Sequence, residues 1–179
     1  MNTSRRYSSW VIAFHWVMLL LLIGIYVSME FRSIFDKGTP ERDLMKLAHF
    51  TMGICLLFLV VPRLLARLFT STPPITPSLP KYMHLLSKLM HLSLYALMIV
   101  MPLIGWTMIN ANGREVIWLG IHLPTFIVEN KPLARQLHEI HEIGATIGYF
   151  LIGAHTLAAL FHHYYLKNNV LLRMTFLKR

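Results

Sequence analysis

Four long apolar runs, at about residues 10–29, 45–68, 84–109 and 137–166, leave this chain few ways to fold. Each matches or exceeds the roughly 20 residues that a helix needs to cross a bilayer. A backbone facing lipid must satisfy its own hydrogen bonds, so each run reads as an α-helix. Only 14% of the 179 residues are charged and mean hydropathy is +0.53, whereas ordinary soluble domains carry about 25% charged residues. In water such a chain would expose too much apolar surface, and the lipid bilayer is its natural solvent and partner. The expected architecture is an all-α integral membrane four-helix bundle, with residues 1–179 forming one domain. No large extramembrane catalytic domain fits, so any chemistry must sit inside the bundle or at its rim.

The charges lie between the runs. If the N-terminus is cytoplasmic, the inner side collects Arg5, Arg6, Arg63, Arg67, Lys81, Lys88, Lys167, Arg173, Lys178 and Arg179, ten cations with no acid. The outer side holds Arg32, Lys37, Arg42, Lys46, Arg114, Lys131 and Arg135 with all eight carboxylates: Glu30, Asp36, Glu41, Asp43, Glu115, Glu129, Glu139 and Glu142. The total of +9 thus divides into +10 inside and −1 outside, and the Lys and Arg bias favours both termini inside a multi-pass protein. Such clustering is the signature of membrane topology, not of a basic stripe for nucleic acid. Arg5 and Arg6 precede the first run as in a secretory signal, but the run exceeds a usual signal core and no small-residue cleavage site follows. Arg63 and Arg67, at the end of the second run, are expected to snorkel to the interface. Cys55 is alone, which excludes an intrachain disulfide, a thiolate-held cluster and a covalently attached c-type haem.

Ten histidines are present, and His15, His49, His91, His141 and His155 fall within the apolar runs. Ionisable groups there are costly and usually functional. Carboxylates are missing from the first three runs and occur in the fourth only near its start, at Glu139 and Glu142, which argues against proton-coupled transport and for neutral imidazoles as metal ligands. His141 and His155 are 14 residues apart, so they share one helix face at about 21 Å separation. They would serve two centres stacked across the bilayer. Gly144 and Gly148 lie on or near that face, where small residues let a macrocycle or a neighbouring backbone approach. By depth, His49 suits His141 on the outer side. On the inner side both His15 and His91 are candidates to meet His155. Two imidazoles per site are poor for zinc, which takes four ligands, but they complete a haem that supplies four nitrogens itself. The reading that uses them best is a bundle binding two b-type haems between its helices.

Several stretches resemble the bacterial cytochrome b561 family along essentially the whole chain. They are FHW around His15, SMEFR at Ser28–Arg32, KLAHFTMGI around His49, RLLARL at Arg63–Leu68, TPPI at Thr72–Ile75, HEIGATIGYFLIGAH from His141 to His155, ALFHHYY around His162, and NNVLLRM at Asn168–Met174. The His141–His155 block and the FHHYY tail are the specific ones. The chain is similar to the family's stand-alone inner-membrane members that oxidise superoxide and reduce ubiquinone. Its scaffold also looks like the membrane cytochrome subunits of formate dehydrogenase and nickel–iron hydrogenase.

The resemblance implies that His15 and His155 hold an inner haem b and that His49 and His141 hold an outer one. It places His162 near a ubiquinone site, an interfacial histidine or haem-propionate partner being the alternative, and frees His91 for another role, hydrogen bonding or lining the quinone pocket. His163, His84, His122 and His138 are expected at hydrated or interfacial positions. The implied activity is a superoxide:ubiquinone oxidoreductase of the bacterial inner membrane, yielding dioxygen outside and ubiquinol. Lys37, Arg42, Lys46, Arg114, Lys131 and Arg135 are the cations available to steer the anion. The competing expectation is an electron-relay membrane anchor serving a partner dehydrogenase or hydrogenase.

Overall fold

The computed structural model describes residues 6–176. Arg5, Lys178 and Arg179, counted above among the cations near the termini, lie outside the described residues. Four helices form: α1 (Ser9–Phe31), α2 (Pro40–Leu68), α3 (Lys81–Ala111) and α4 (Lys131–Tyr164). Single 3₁₀ turns follow α1 at Arg32–Ile34 and close the chain at Leu172–Met174, and a two-stranded hairpin pairs β1 (Ile117–Trp118) with β2 (Ile121–His122).

The helices run past the apolar segments that predict them, because their starts are set by caps and not by hydrophobicity. The Thr39 side chain accepts from the Arg42 N–H, Pro40 opens α2, and Glu41 and Asp43 sit in its first turn. These features satisfy free N–H groups and complement the helix dipole. Likewise the Asn130 side chain accepts from Leu133 N at 3.0 Å, so α4 begins six residues before its apolar run. Pro62 and Pro102 lie inside α2 and α3, which continue through them. Each removes one backbone bond four residues back, a cost neighbouring helices can absorb in a membrane bundle.

α1 packs along α2 and α3 along α4, with a thinner seam between α2 and α3. Met18, Leu56, Val60 and Met98 form the fully enclosed core at that seam. Outward-facing positions are apolar too: Leu20, Ile23, Phe58, Leu92, Phe150 and Leu157 are all exposed. This is the arrangement of a protein whose surroundings are as apolar as its interior, where packing and polar contacts, not water exclusion, hold helices together.

The first and last described segments and the α2–α3 linker meet at one end, here the termini end. Tyr7 N bonds Arg173 O at 3.1 Å, Trp16 Nε1 donates to Met174 O at 2.8 Å, and Asn169 Oδ1 accepts from Thr76 N at 2.9 Å. Arg173 is buried and spans two of these segments, donating to the Tyr7 hydroxyl and the Pro73 carbonyl. Burial pulls its guanidinium below its ordinary value, and the nearby Arg67 charge pushes the same way against the Tyr7 hydroxyl.

The opposite, far end holds the α1–α2 turn and the α3–α4 connection. That connection is expected as a loop, but within it Val116–Leu123 folds as a hairpin, with left-handed Leu119 and Gly120 (φ 50° and 83°) at its tip. Two consecutive positive φ values match the strand twist of a two-residue hairpin. The hairpin lies back against the helices: the Trp118 ring packs 5.3 Å from Phe58 of α2, and Trp106 Nε1 donates to Pro124 O. His122 is therefore on a strand, 2.9 Å from Glu115, and not in an unstructured loop.

Candidate functional site

α4 carries the histidines that the other helices meet. His141 faces His49 of α2, with ring centres 6.1 Å apart and planes inclined by 72°. Fourteen residues on, His155 faces His15 of α1 at 6.3 Å and 68°. Two imidazole nitrogens each about 2.0 Å from a shared metal put the ring centres roughly 6 Å apart. Both pairs have that spacing. His91 of α3 also approaches His155, but at 5.4 Å and 84°, too close for a metal held midway between opposed rings.

Hydrogen bonding decides which ring nitrogens remain to bind. His49 Nδ1 lies 3.1 Å from the Ile25 carbonyl and His91 Nδ1 2.6 Å from that of Ser87. A carbonyl only accepts, so both histidines carry the Nδ1 proton and leave Nε2 bare, the usual backing for a metal-ligating imidazole. His141 Nδ1 is buried and, among the described residues, makes no well-formed hydrogen bond, with the Met101 backbone of α3 close by. His15 differs, because its Nδ1 faces Arg63 Nη2 at 3.2 Å, and a guanidinium only donates. Ligation through His15 Nε2 therefore requires its proton to leave or to move to Nδ1, displacing Arg63. At this end, ring spacing favours His15 and the tautomer favours His91.

Arg63 does not snorkel as expected. It turns into the bundle, where Nε donates to the Tyr95 hydroxyl at 3.3 Å, Nη1 approaches Met18 Sδ at 3.7 Å, and the guanidinium stacks 5.5 Å over the Tyr95 ring. Among the described residues no carboxylate pairs with it. Its position near the end of an apolar run hid this inward turn, although a cation five residues before the helix end was the available signal.

The small-residue face of α4 is used by side chains. A Cβ at Gly148, midway between His141 and His155, would collide with the Tyr26 hydroxyl, and one at Gly144 with Met101 Sδ. Tyr26 donates to the Ala145 carbonyl at 2.9 Å and packs its ring 4.3 Å from Tyr149, which donates to Glu30 at 2.6 Å. These contacts tie α1 to α4 between the histidine pairs.

The remaining histidines are dispersed. His138 lies 3.8 Å from Glu142, one turn further along α4. His162 and His163 sit half-buried at the termini end, where Asn168, the first residue of the NNVLLRM stretch, contacts both.

Among the described residues no three His, Cys, Asp or Glu side chains gather as a metal cluster. Opposed pairs of neutral donors, on helices that lack extensive backbone contact with each other, suit a flat macrocycle that brings its own four nitrogens and lacks two axial ligands. Haem b fits these residues.

A membrane-spanning helical bundle with imidazoles opposed in pairs belongs to the class of membrane b-type cytochromes, which carry electrons. Residues 6–176 match the prokaryotic cytochrome b561 family. Cytochrome b561 homolog 1 of Escherichia coli (strain K12) is 38% identical over 170 residues, covering 95% of this chain and 97% of the relative. The probable superoxide oxidase CybB of Yersinia pestis is 38% identical over 175 residues, covering 98% of both. Cytochrome b561 homolog 2 of Escherichia coli is 26% identical over 180 residues, covering 97% and 93%. The chain belongs to the prokaryotic cytochrome b561 family and is a bacterial membrane protein of electron transfer.

Proposed function

We propose that the protein is a di-haem superoxide:ubiquinone oxidoreductase of the inner membrane, with both termini in the cytoplasm. His49 and His141 are the axial ligands at the far, outer end, and His15 and His155 those at the termini end. The supporting observation is that two opposed pairs, 14 residues apart on one helix, share the ring spacing of a bis-imidazole centre. The Yersinia pestis relative's printed name supports superoxide as donor.

Haem b, when bound, supplies reversible one-electron storage. The chain's residues supply the rest. α4 fixes the two pairs about 21 Å apart along its axis, and the Ile25 carbonyl holds the His49 tautomer. Tyr26 and Tyr149 brace α1 against α4. His162 lies seven residues beyond His155, hence on the same face, and lines the ubiquinone site, with His91 contributing from α3. Two superoxide anions each lose one electron to become dioxygen, while one ubiquinone takes up two electrons and two protons to become ubiquinol.

The test is a reduced-minus-oxidised spectrum with haem counted per chain, followed by turnover of purified protein given superoxide and a ubiquinone analogue. Two haems and turnover without a second protein are expected. No haem would end the reading. Two haems with no turnover unless a partner is added would make the chain a relay anchor.

A further inference from the structure

The C-terminal end of α4 holds adjacent histidines whose chemistry one buried asparagine sets. Asn168 is 3% exposed and uses its amide and backbone fully. Its Oδ1 accepts from Val170 N at 3.2 Å, and its backbone N–H donates to the His162 carbonyl at 3.1 Å. The Val170 N–H can only donate, so the amide atom facing it is the oxygen, and the atom 2.9 Å from His162 Nδ1 is the nitrogen. His162 Nδ1 must then be the acceptor, and its proton sits on Nε2. His163 is held the opposite way. Its Nδ1 lies 3.4 Å from the Asn168 carbonyl, which only accepts, so Nδ1 is protonated and Nε2 bare.

We infer that Asn168 is a positioning residue that fixes His162 as a neutral Nε2–H donor, presented to an oxygen acceptor of the quinone-carbonyl class, and His163 as its complementary acceptor. The inference rests on the ubiquinone reading of His162 for the identity of the acceptor but not for the tautomers. A carbonyl oxygen needs a donor. A His162 of the other tautomer would meet it with a lone pair.

The two histidines consequently differ in what they can do with a proton. Protonating His162 at Nδ1 would drive an N–H against the Asn168 amide N–H and break that contact. Protonating His163 at Nε2 leaves its bond to the Asn168 carbonyl intact. His163 also lines a cavity of about 310 Å³ with Lys167, Thr76 and Asn169, whereas His162 does not. His162 is thus fixed as a hydrogen-bond donor, and His163 is the one able to take up a proton without losing its anchor.

Asn168→Asp tests this with almost no change of shape. The carboxylate still accepts from Val170, but toward His162 it also accepts, which moves that ring's proton to Nδ1. Holoprotein in its diamagnetic reduced state, labelled with ¹⁵N-histidine, reports the tautomer directly, the His162 signals being those missing from His162→Gln. Wild type is expected to show a protonated Nε2 and bare Nδ1 at His162, inverted in Asn168→Asp. The KM for a ubiquinone analogue should rise by about tenfold, as for one lost hydrogen bond, with a smaller change in kcat. A wild-type His162 protonated at Nδ1 overturns the inference without any variant of Asn168. Failure to invert in Asn168→Asp overturns the role of Asn168. Inversion with an unmoved KM removes the carbonyl from His162, and with it the quinone reading there, while the tautomer assignment stands.

Discussion

The two ends of α4 carry the same residue type in opposite surroundings. At the far end His141 and His49 meet as a simple pair backed by the Ile25 carbonyl, in a region where the eight carboxylates of the chain outnumber seven cations by one. At the termini end His155 meets a crowd, His15 at 6.3 Å and His91 at 5.4 Å, with the Arg63 guanidinium, which no carboxylate pairs among the described residues, against His15. A group that gains an electron is stabilised by nearby positive charge and destabilised by negative charge. With a haem at each pair, as proposed, these surroundings favour the electron at the termini end, the direction that the proposed superoxide oxidation and quinone reduction require. Twin sites built from one ligand type can be made unequal by their neighbours alone.

The sharpest break of that comparison is removal of ligands. His141→Ala or His49→Ala should cost the far-end haem only, and His155→Ala the other, each dropping the count from two per chain to one. The termini end adds a second question, because spacing selects His15 and tautomer selects His91. His15→Ala should remove the same spectral component as His155→Ala, while His91→Ala leaves both haems bound. The reverse result would put His91 opposite His155.

Next in size is the hinge between the sites. Gly148→Ala places a Cβ into the Tyr26 hydroxyl, and overpacking of this kind costs about 1–3 kcal/mol. The expected outcome is a lower unfolding midpoint, with both sites perturbed together since Gly148 is seven residues from both His141 and His155. The double variant with Tyr26→Phe should recover part of the loss. Separate responses of the two sites would show that they are not braced through this contact.

Arg63→Gln addresses the charge asymmetry itself. At an effective dielectric near 20, a unit charge several ångströms from the site contributes on the order of 1–2 kcal/mol. For one electron that is roughly 40–90 mV. Redox titration should find the termini-end potential lowered by that much, the far-end potential unmoved, and most of the loss restored in Arg63→Lys. Equal shifts at both ends would mean that Arg63 acts on the bundle and not on its neighbour.

The pairs and the surroundings were not equally legible. The spacing of His141 and His155 is periodicity, which a sequence displays directly, and the four long apolar runs display the membrane. Matching depths brought His49 to His141 because only one candidate existed there. At the other end depth admitted His15 and His91 alike, and the ring separations and hydrogen bonds that bear on the choice are created only by helix packing. The inward turn of Arg63 depends on Tyr95, 32 residues away, and hydropathy along one run carries nothing of that. Asn168 belongs to the NNVLLRM stretch, but its role was not legible there, since its partners are a helix end and its own following turn. The hairpin at Val116–Leu123 lacked an Asn-Gly turn, although branched and aromatic residues flanking Leu119–Gly120 were a readable strand signal.

The smallest effect concerns the anion's approach to the far end. Six cations are available there in sequence, but the fold spends several of them locally. Lys46 pairs with Asp43 at 2.8 Å, Lys131 with Glu129 at 2.9 Å, and Arg42 donates to the Arg32 and Phe35 carbonyls. With that side at −1 overall, long-range attraction is weak. The second-order rate with superoxide should therefore fall only about two- to threefold as ionic strength rises from roughly 0.01 M to 0.15 M, where the screening length shrinks to about 8 Å. Charge reversal at Arg114 or Arg135 should lower the rate more than reversal at Lys46, whose field Asp43 already cancels. If Lys46→Glu proves as damaging as Arg135→Glu, the local pairs do not neutralise those lysines. A rate indifferent to both salt and reversal would mean the anion reaches the far-end site unsteered, leaving the asymmetry between the two ends to govern only where the electron goes afterwards.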